Sequence, residues 1–202
     1  MSATEPMPRR RLSVAERRAA ILAAARRAFA ESAYADVGVP AVASAAGASP
    51  ALVFHYFGSK AGLFEAVLAE ALDDLALRQR EADAALPPNT PARDRVRTWV
   101  LTQVDNVAAQ PRAWASGWTD GEEPAGATAR RAQAREASLA FLAEVVGPSE
   151  PVRRRFALIG FLGFLDRSCL AWVDAGCRPQ DRWAMVDACL GALQGALGDW
   201  GR

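Results

Sequence analysis

Residue types that carry metal or nucleophilic chemistry are scarce in this 202-residue sequence, which has one histidine and three cysteines. Cys169, Cys177 and Cys189 have no CxxC spacing and cannot all pair, so we expect buried, reduced thiols. The sequence also lacks a Ser/His/Asp set, a metal-ligand cluster and a glycine-rich phosphate loop. We therefore expect no metal site, no cofactor and no enzymatic activity.

Long apolar runs are missing as well. The segment before Ser13 has two prolines and lacks the apolar stretch that directs secretion. The most apolar stretch, residues 156–173, is interrupted by Asp166 and Arg167, which argues against a membrane span. We expect a cytoplasmic protein without a membrane partner.

The pattern of a β-protein is also absent. Alanine is frequent, runs of valine, isoleucine and threonine are scarce, and no stretch shows sustained alternation of polar and apolar residues. Hydrophobic residues make up 51% of the chain and charged residues 23%, as in folded globular proteins. We predict an all-α fold of about nine helices. Start and stop signals place them near residues 13–32, 39–46, 49–57, 59–85, 91–109, 111–119, 124–146, 150–175 and 180–200.

Charge is unevenly distributed along the chain, although the net charge is only +1. Residues 1–60 have eight basic and four acidic side chains, whereas the remainder has sixteen basic and nineteen acidic ones. This asymmetry is typical of a DNA-binding domain joined to a domain with another role, although a solvated charge imbalance explains it equally well. We predict a flexible basic arm at 1–12, a DNA-binding domain at 13–58 and a helical domain at 59–202.

Two short predicted helices on either side of a tight turn have the dimensions of a helix-turn-helix. Gly47 suits the turn because glycine can adopt a positive φ, and Ser49 followed by Pro50 is a typical helix start. Alanines before Gly47 leave room for the second helix to cross the first. The pattern alone also fits a helical hairpin that has no role in DNA binding.

The sequence from Gly47 to Leu63 resembles the signature of the TetR family of regulators. The resemblance also includes Phe29, Tyr34, Val42 and Ala43, and it extends over about residues 14–68. It implies a three-helix DNA-binding domain followed by a helical ligand-binding and dimerisation domain. It further implies a ligand-responsive transcriptional regulator, more often a repressor than an activator, which a small molecule releases from a palindromic operator.

The resemblance also implies a set of DNA contacts. Phosphate contacts are expected from Ser49, Tyr56 and Lys60. The residues expected to face the major groove are Pro50, Ala51, Leu52 and His55. Arg9, Arg10 and Arg11 are predicted to track phosphates or to enter a minor groove. Ala51 and Leu52 favour contact with thymine methyl groups, and the alternative for His55 is a surface position without a partner.

Three departures from the family pattern bear on DNA binding. Val37-Gly38 stands where the family usually has threonine or serine, Pro40 replaces a polar residue, and Phe54 replaces a tyrosine. The alternative function is therefore a helical small-molecule-binding or interaction protein whose DNA recognition is weakened or lost.

The last two predicted helices carry more apolar surface than a small protomer can bury. The resemblance implies a homodimer joined through these helices as a four-helix bundle, and an intramolecular core is the alternative. The predicted interface residues are Phe156, Leu170, Trp183, Leu190, Leu193 and Leu197.

The resemblance also implies a pocket for an effector of unknown identity between the fourth and eighth helices. Apolar and aromatic walls with a few amide groups are typical of such a pocket, but they are equally typical of a helical core. The predicted lining residues are Trp99, Gln103, Asn106, Trp114, Trp118, Phe141, Phe161 and Leu165.

Overall fold

The computed structural model describes residues 13–119, 123–147 and 150–198, so Arg9, Arg10 and Arg11 lie outside the described residues. The described residues form nine α-helices and two short 3-10 turns and contain no β-strand. The helices are α1 (Val14–Glu31), α2 (Val39–Ala45), α3 (Pro50–Phe57), α4 (Lys60–Ala84), α5 (Ala92–Ala109), α6 (Pro111–Thr119), α7 (Ala125–Val146), α8 (Pro151–Asp174) and α9 (Arg182–Leu197). The 3-10 turns are Tyr34–Asp36 and Pro179–Asp181. The all-α fold predicted from the sequence is confirmed.

Local signals set the beginning of α1. The Ser13 hydroxyl accepts a hydrogen bond from the Glu16 amide at 3.2 Å, and the Glu16 carboxylate accepts one from the Ser13 amide at 2.7 Å. This reciprocal capping satisfies two amides that have no partner inside the helix. The hydrogen bond from the Ser13 amide, with a further contribution from the Ser13 side chain, lowers the pKa of Glu16.

The described residues divide into two compact units between Val67 and Leu68. The helix break at Gly58 predicts an earlier division, after residue 58. The first turns of α4 explain this difference because they pack into the first unit. There Leu63 is fully buried, and the ring centroid of Phe64 lies 4.9 Å from that of Phe29. α4 therefore contributes residues to both units.

The core of the first unit brings α1, α2 and α3 together. Ile21 and Ala25 of α1, Ala43 of α2 and Val53 of α3 are fully buried. The small side chains of Ala25 and Ala43 permit a close approach of helices. Because Val53 points into this core, the opposite side of α3 is directed away from it.

The core of the second unit is an apolar cluster shared by α5, α7, α8 and α9. α8 is long and apolar enough to cross a membrane by length and composition alone, and 44% of its apolar window is buried inside the protein. Its Leu165 is 1% exposed. The next residue of the same helix, Asp166, pairs with Arg135 of α7 at 2.6 Å, and burial raises the pKa of Asp166.

The three cysteines differ in accessibility, which leads to a testable prediction. Cys169 and Cys189 are buried and Cys177 is half-buried, all three as free thiols. Burial raises the pKa of Cys169 to about 12 and that of Cys189 to about 11. Because the thiolate is the reactive species, we expect Cys177 to react with an aromatic disulfide reagent on the order of a hundredfold faster than the other two.

Absorbance of the released thiolate measures this difference. Native protein should show one fast thiol, and protein in urea should show three. The Cys177→Ser variant should lose the fast phase, so a fast phase that survives the substitution would contradict the assignment.

Candidate DNA-binding surface

The turn between α2 and α3 is fixed by its backbone. Gly47 has φ +62°, in agreement with the positive φ expected of a glycine there. The Ala48 amide donates to the Ala43 carbonyl at 2.9 Å and the Gly47 amide to the Ser44 carbonyl at 3.1 Å. These bonds satisfy carbonyls at the end of α2 and hold the chain in position to begin α3.

Both ends of α3 follow from residue types in the sequence. The Ser49 hydroxyl accepts a hydrogen bond from the Leu52 amide at 3.2 Å, and Pro50 occupies the first helical turn, where no amide donor is needed. α3 ends at Phe57 because Gly58 has φ +74°, which helical residues do not adopt. The turn and the caps together give α3 a defined length and direction.

α3 has one buried side and one exposed side. Val53 is fully buried, and Leu52 and Tyr56 are half-buried. The exposed residues are Pro50, Ala51, Phe54 and His55. Their spacing of three and four residues places them on one side of the helix, which we call the reading face. The structure thus brings Pro50, Ala51 and His55 together as a surface, with Leu52 at its edge.

Two residues predicted to contact phosphates lie next to the reading face. They are Ser49, the N-cap of α3, and Tyr56 within the helix. Ser49 is exposed. The ring centroid of Tyr56 lies 5.5 Å from that of His55 and 6.2 Å from that of Phe57, both in edge-to-face geometry. These contacts restrict the orientation of the tyrosine ring and of its hydroxyl group.

Lys60 has a different environment from the one that a phosphate contact suggests. Its ammonium group donates to the Ala35 carbonyl at 2.9 Å and lies 4.6 Å from the ring centroid of Tyr34. Both partners belong to the 3-10 turn that leads into α2. The ammonium group therefore links the first turn of α4 to the segment that precedes the helix-turn-helix, and its predicted contact with phosphate stays a prediction.

Arg18 is a basic residue that sequence reasoning did not single out. Its guanidinium carbon lies 5.2 Å from the ring centroid of Phe57, at the end of α3, and its side chain is exposed. The cation–π contact holds a positive charge beside α3. No signal in the sequence links Arg18 to Phe57, because the two residues are 39 positions apart and meet only through the packing of α1.

The family departures have structural consequences at the start of α2. Gly38 is the N-cap of this helix, and it offers no side-chain hydrogen bond to the first amides. A serine or threonine hydroxyl at this position would supply one. Val37 is 6% exposed and belongs to the core of the first unit, so it offers no polar group to a ligand.

The residues predicted to line an effector pocket differ widely in burial. Trp99, Phe161 and Leu165 are at most 5% exposed and belong to the core cluster. Gln103, Asn106, Trp114 and Phe141 are half-buried, whereas Trp118 is 45% exposed. The side-chain oxygen Oδ1 of Asn106 already accepts a hydrogen bond from the Arg78 guanidinium at 2.7 Å. Trp99, Phe161 and Leu165 are therefore core residues, and the effector pocket stays a prediction.

The predicted dimer residues separate into two groups, and one group needs correction. Leu170, Leu190 and Leu193 are at most 8% exposed, and Leu190 and Leu193 belong to the apolar cluster of the second unit. They belong to the protomer core and present little or no surface to a partner. Phe156 and Trp183 are more than half exposed, and Leu197 is half-buried.

Comparisons with known proteins agree with this arrangement. Residues 21–67 match the sequence model of a family described as bacterial regulatory proteins, tetR family. The chain is 30% identical over 166 residues to the HTH-type transcriptional regulator BetI of Burkholderia mallei (strain NCTC 10229), a match that covers 79% of this chain and 83% of the relative.

Two solved structures show a similar fold. A tetR-family transcriptional regulator from Streptomyces coelicolor superposes with a TM-score of 0.75 at 23% identity, over 92% of this chain and 80% of that one. The transcriptional regulator FadR from Bacillus subtilis, in complex with stearoyl-CoA, superposes with a TM-score of 0.71 at 15% identity, over 90% of this chain and 98% of that one. At these identities the likeness supports the fold alone.

The capped turn, the exposed side of α3 and the relatives together define a helix-turn-helix, DNA-binding transcriptional regulator. The chain belongs to the TetR family of bacterial regulatory proteins. The resemblance seen in the sequence is confirmed, and the named relatives are regulators of transcription.

Proposed function

We propose that the protein is a homodimeric, cytoplasmic repressor that binds a palindromic operator and is released from it by a small-molecule effector. The reading face of α3 is the observation that carries this proposal. An exposed row of side chains on a capped helix of a helix-turn-helix is suited to the edges of bases in a major groove. Arg18 and Arg27 of α1 are exposed, and their charges favour attraction to phosphates.

Exposed apolar surface on the last two helices supports the homodimer. Phe156 of α8 is 64% exposed and Trp183 of α9 is 54% exposed. α8 and α9 also contain glycines at which an added Cβ atom would meet no other atom within 4 Å. These glycines are Gly160, Gly163, Gly191 and Gly195. Exposed rings and open glycine positions on the same two helices fit close packing against the same helices of a second copy.

Accessible aromatic and amide groups in the second unit support the proposal of an effector site there. Trp114 and Trp118 lie 5.9 Å apart between ring centroids, and Gln103 is half-buried. An effector releases DNA if it binds more tightly to a form of the dimer whose reading faces do not match the operator. We assign the coupling to α4, because this helix contributes residues to both units.

Binding to the DNA upstream of the protein's own gene tests the proposal. Wild-type protein is titrated against labelled upstream duplex and scrambled duplex at two salt concentrations, with fluorescence anisotropy as the readout. We expect selective binding that weakens as salt rises. His55→Ala should weaken it roughly tenfold, because His55 is exposed on the reading face and can contact a base edge.

Leu77→Ala is the matched control. Leu77 is a similarly exposed residue of the second unit, at 47%, and its loss should leave DNA affinity unchanged. If neither the upstream DNA nor a selection from random duplexes yields a preferred sequence, the chain is instead a helical small-molecule-binding or interaction protein without DNA recognition. The missing side-chain cap at Gly38 is the observation that favours this second candidate.

A further inference from the structure

The reading face has an unusual chemistry for a surface that contacts DNA. Phe54 is 46% exposed although its phenyl ring has no group that can hydrogen-bond with water. It stands at the centre of the reading face, three residues after Ala51 and four after Pro50, both of which are also exposed. Neither of these neighbours can donate or accept through its side chain. His55 is the one residue of the reading face whose side chain can form a hydrogen bond.

This composition limits what the reading face can recognise. Guanine and adenine are read best by the bidentate hydrogen bonds of arginine, lysine, asparagine or glutamine, none of which occurs in α3. Thymine is different because it projects a methyl group into the major groove, and an apolar side chain can contact that group. The exposed ring and the methyl group of Ala51 therefore match thymine better than any other base.

We propose that Phe54, together with Ala51, reads thymine 5-methyl groups in each operator half-site, an inference that rests on the proposed function. The contact covers ring surface that faces water in the free protein, so the hydrophobic effect drives it. Removal of one methyl group from such a contact weakens binding about fourfold, as for one buried carbon group. Removal from both half-sites weakens it about sixteenfold.

Deoxyuridine provides a direct test, because it differs from thymidine only in the missing methyl group. The operator is first selected from random duplexes. Each of its thymines is then replaced in turn by deoxyuridine in both half-sites, and the dissociation constant is measured for wild type, Phe54→Ala, Phe54→Leu and the control Leu77→Ala. Circular dichroism melting establishes that each variant is folded.

The expected result is a coupling between one side chain and one methyl group. At one or two thymines of each half-site, deoxyuridine should weaken binding of wild type and of Leu77→Ala by about sixteenfold. The same replacement of thymine by deoxyuridine should weaken binding of Phe54→Ala much less than that of wild type, because only the contact with Ala51 remains. Phe54→Leu, which keeps an apolar side chain, should retain part of the discrimination.

Two other results overturn the inference in distinguishable ways. If wild type binds the selected operator but tolerates deoxyuridine everywhere, or if deoxyuridine weakens binding of Phe54→Ala as much as that of wild type, thymine is not read by Phe54 and the proposed function stands. If the selection returns no preferred sequence, the proposed function and the inference are both wrong.

Discussion

Replacing Phe156 with arginine is expected to convert the proposed homodimer into monomers and to weaken operator binding by about a hundredfold or more. Phe156 is 64% exposed on α8, so its replacement removes little from the protomer core. In a symmetric dimer the residue contributes to the interface twice, and each copy of the variant brings a positive charge into an apolar contact. Arg155 already lies beside the Phe156 ring, at 5.9 Å from its centroid, and adds to the repulsion.

The weaker DNA binding follows from the absence of avidity in a monomer. Two linked reading faces bind two half-sites with an effective concentration that raises affinity by about 10²–10⁴ over one. Sedimentation velocity measures the oligomeric state, and anisotropy measures binding. Leu77→Arg makes the same charge change at a similarly exposed leucine of α4 and should leave the protein dimeric. A dimeric Phe156→Arg variant with normal affinity would show that α8 is not the interface.

The glycines of α8 allow a second version of the same experiment. A Cβ atom at Gly163 meets nothing within 4 Å in the protomer, so Gly163→Leu should fold and should gain roughly 1 kcal/mol of helix propensity. The larger side chain nevertheless blocks close approach of a second copy. If Gly163→Leu has a higher Tm than wild type but no longer forms dimers, the loss of dimers results from the blocked interface and not from a folding defect.

Sequence reasoning succeeded where structure depends on neighbouring residues. The capping pair of Ser13 and Glu16, the turn at Gly47 and the cap at Ser49 act over three or four residues, and all three occur as expected. Such signals place the first four helices within one residue of their predicted ends. They do not by themselves place the reading face, because the buried position of Val53 fixes which side of α3 is exposed.

The sequence did not predict roles that depend on which side of a helix faces the core or on contacts between residues far apart in the chain. α9 is apolar on several sides, so its sequence does not show which side faces the protomer core. The prediction of Leu190 and Leu193 at the interface is therefore wrong, since the structure buries them and exposes Trp183. The environment of Lys60 is a second example, because its hydrogen bond joins residues 25 positions apart.

Lys60→Met is expected to lower both the stability of the protein and its affinity for the operator. The substitution removes the hydrogen bond to the Ala35 carbonyl and the contact with the Tyr34 ring, while keeping a side chain of similar length. A partly exposed, charge-assisted hydrogen bond contributes about 1 kcal/mol, which corresponds to a decrease of about 2–4 °C in Tm. The turn at Tyr34 leads directly into α2, so its loosening disturbs the helix-turn-helix in both protomers. If the loosened turn must be reordered at about 1 kcal/mol in each protomer when the operator binds, the affinity falls roughly thirtyfold.

The salt dependence of binding distinguishes this role from a direct interaction with phosphate. If Lys60 holds the turn, the slope of log affinity against log salt should be the same for Lys60→Met and wild type, since both bind the same number of phosphates. Lys60→Arg keeps the positive charge but places it differently over Tyr34, so it should lower the stability while preserving any attraction to phosphate. If Lys60 instead binds DNA directly, the slope for Lys60→Met should be shallower by about one in each half-site, in addition to the lower Tm of the free protein. In that case the hydrogen bond to Ala35 belongs only to the free protein, and the ammonium group exchanges it for phosphate when the operator binds.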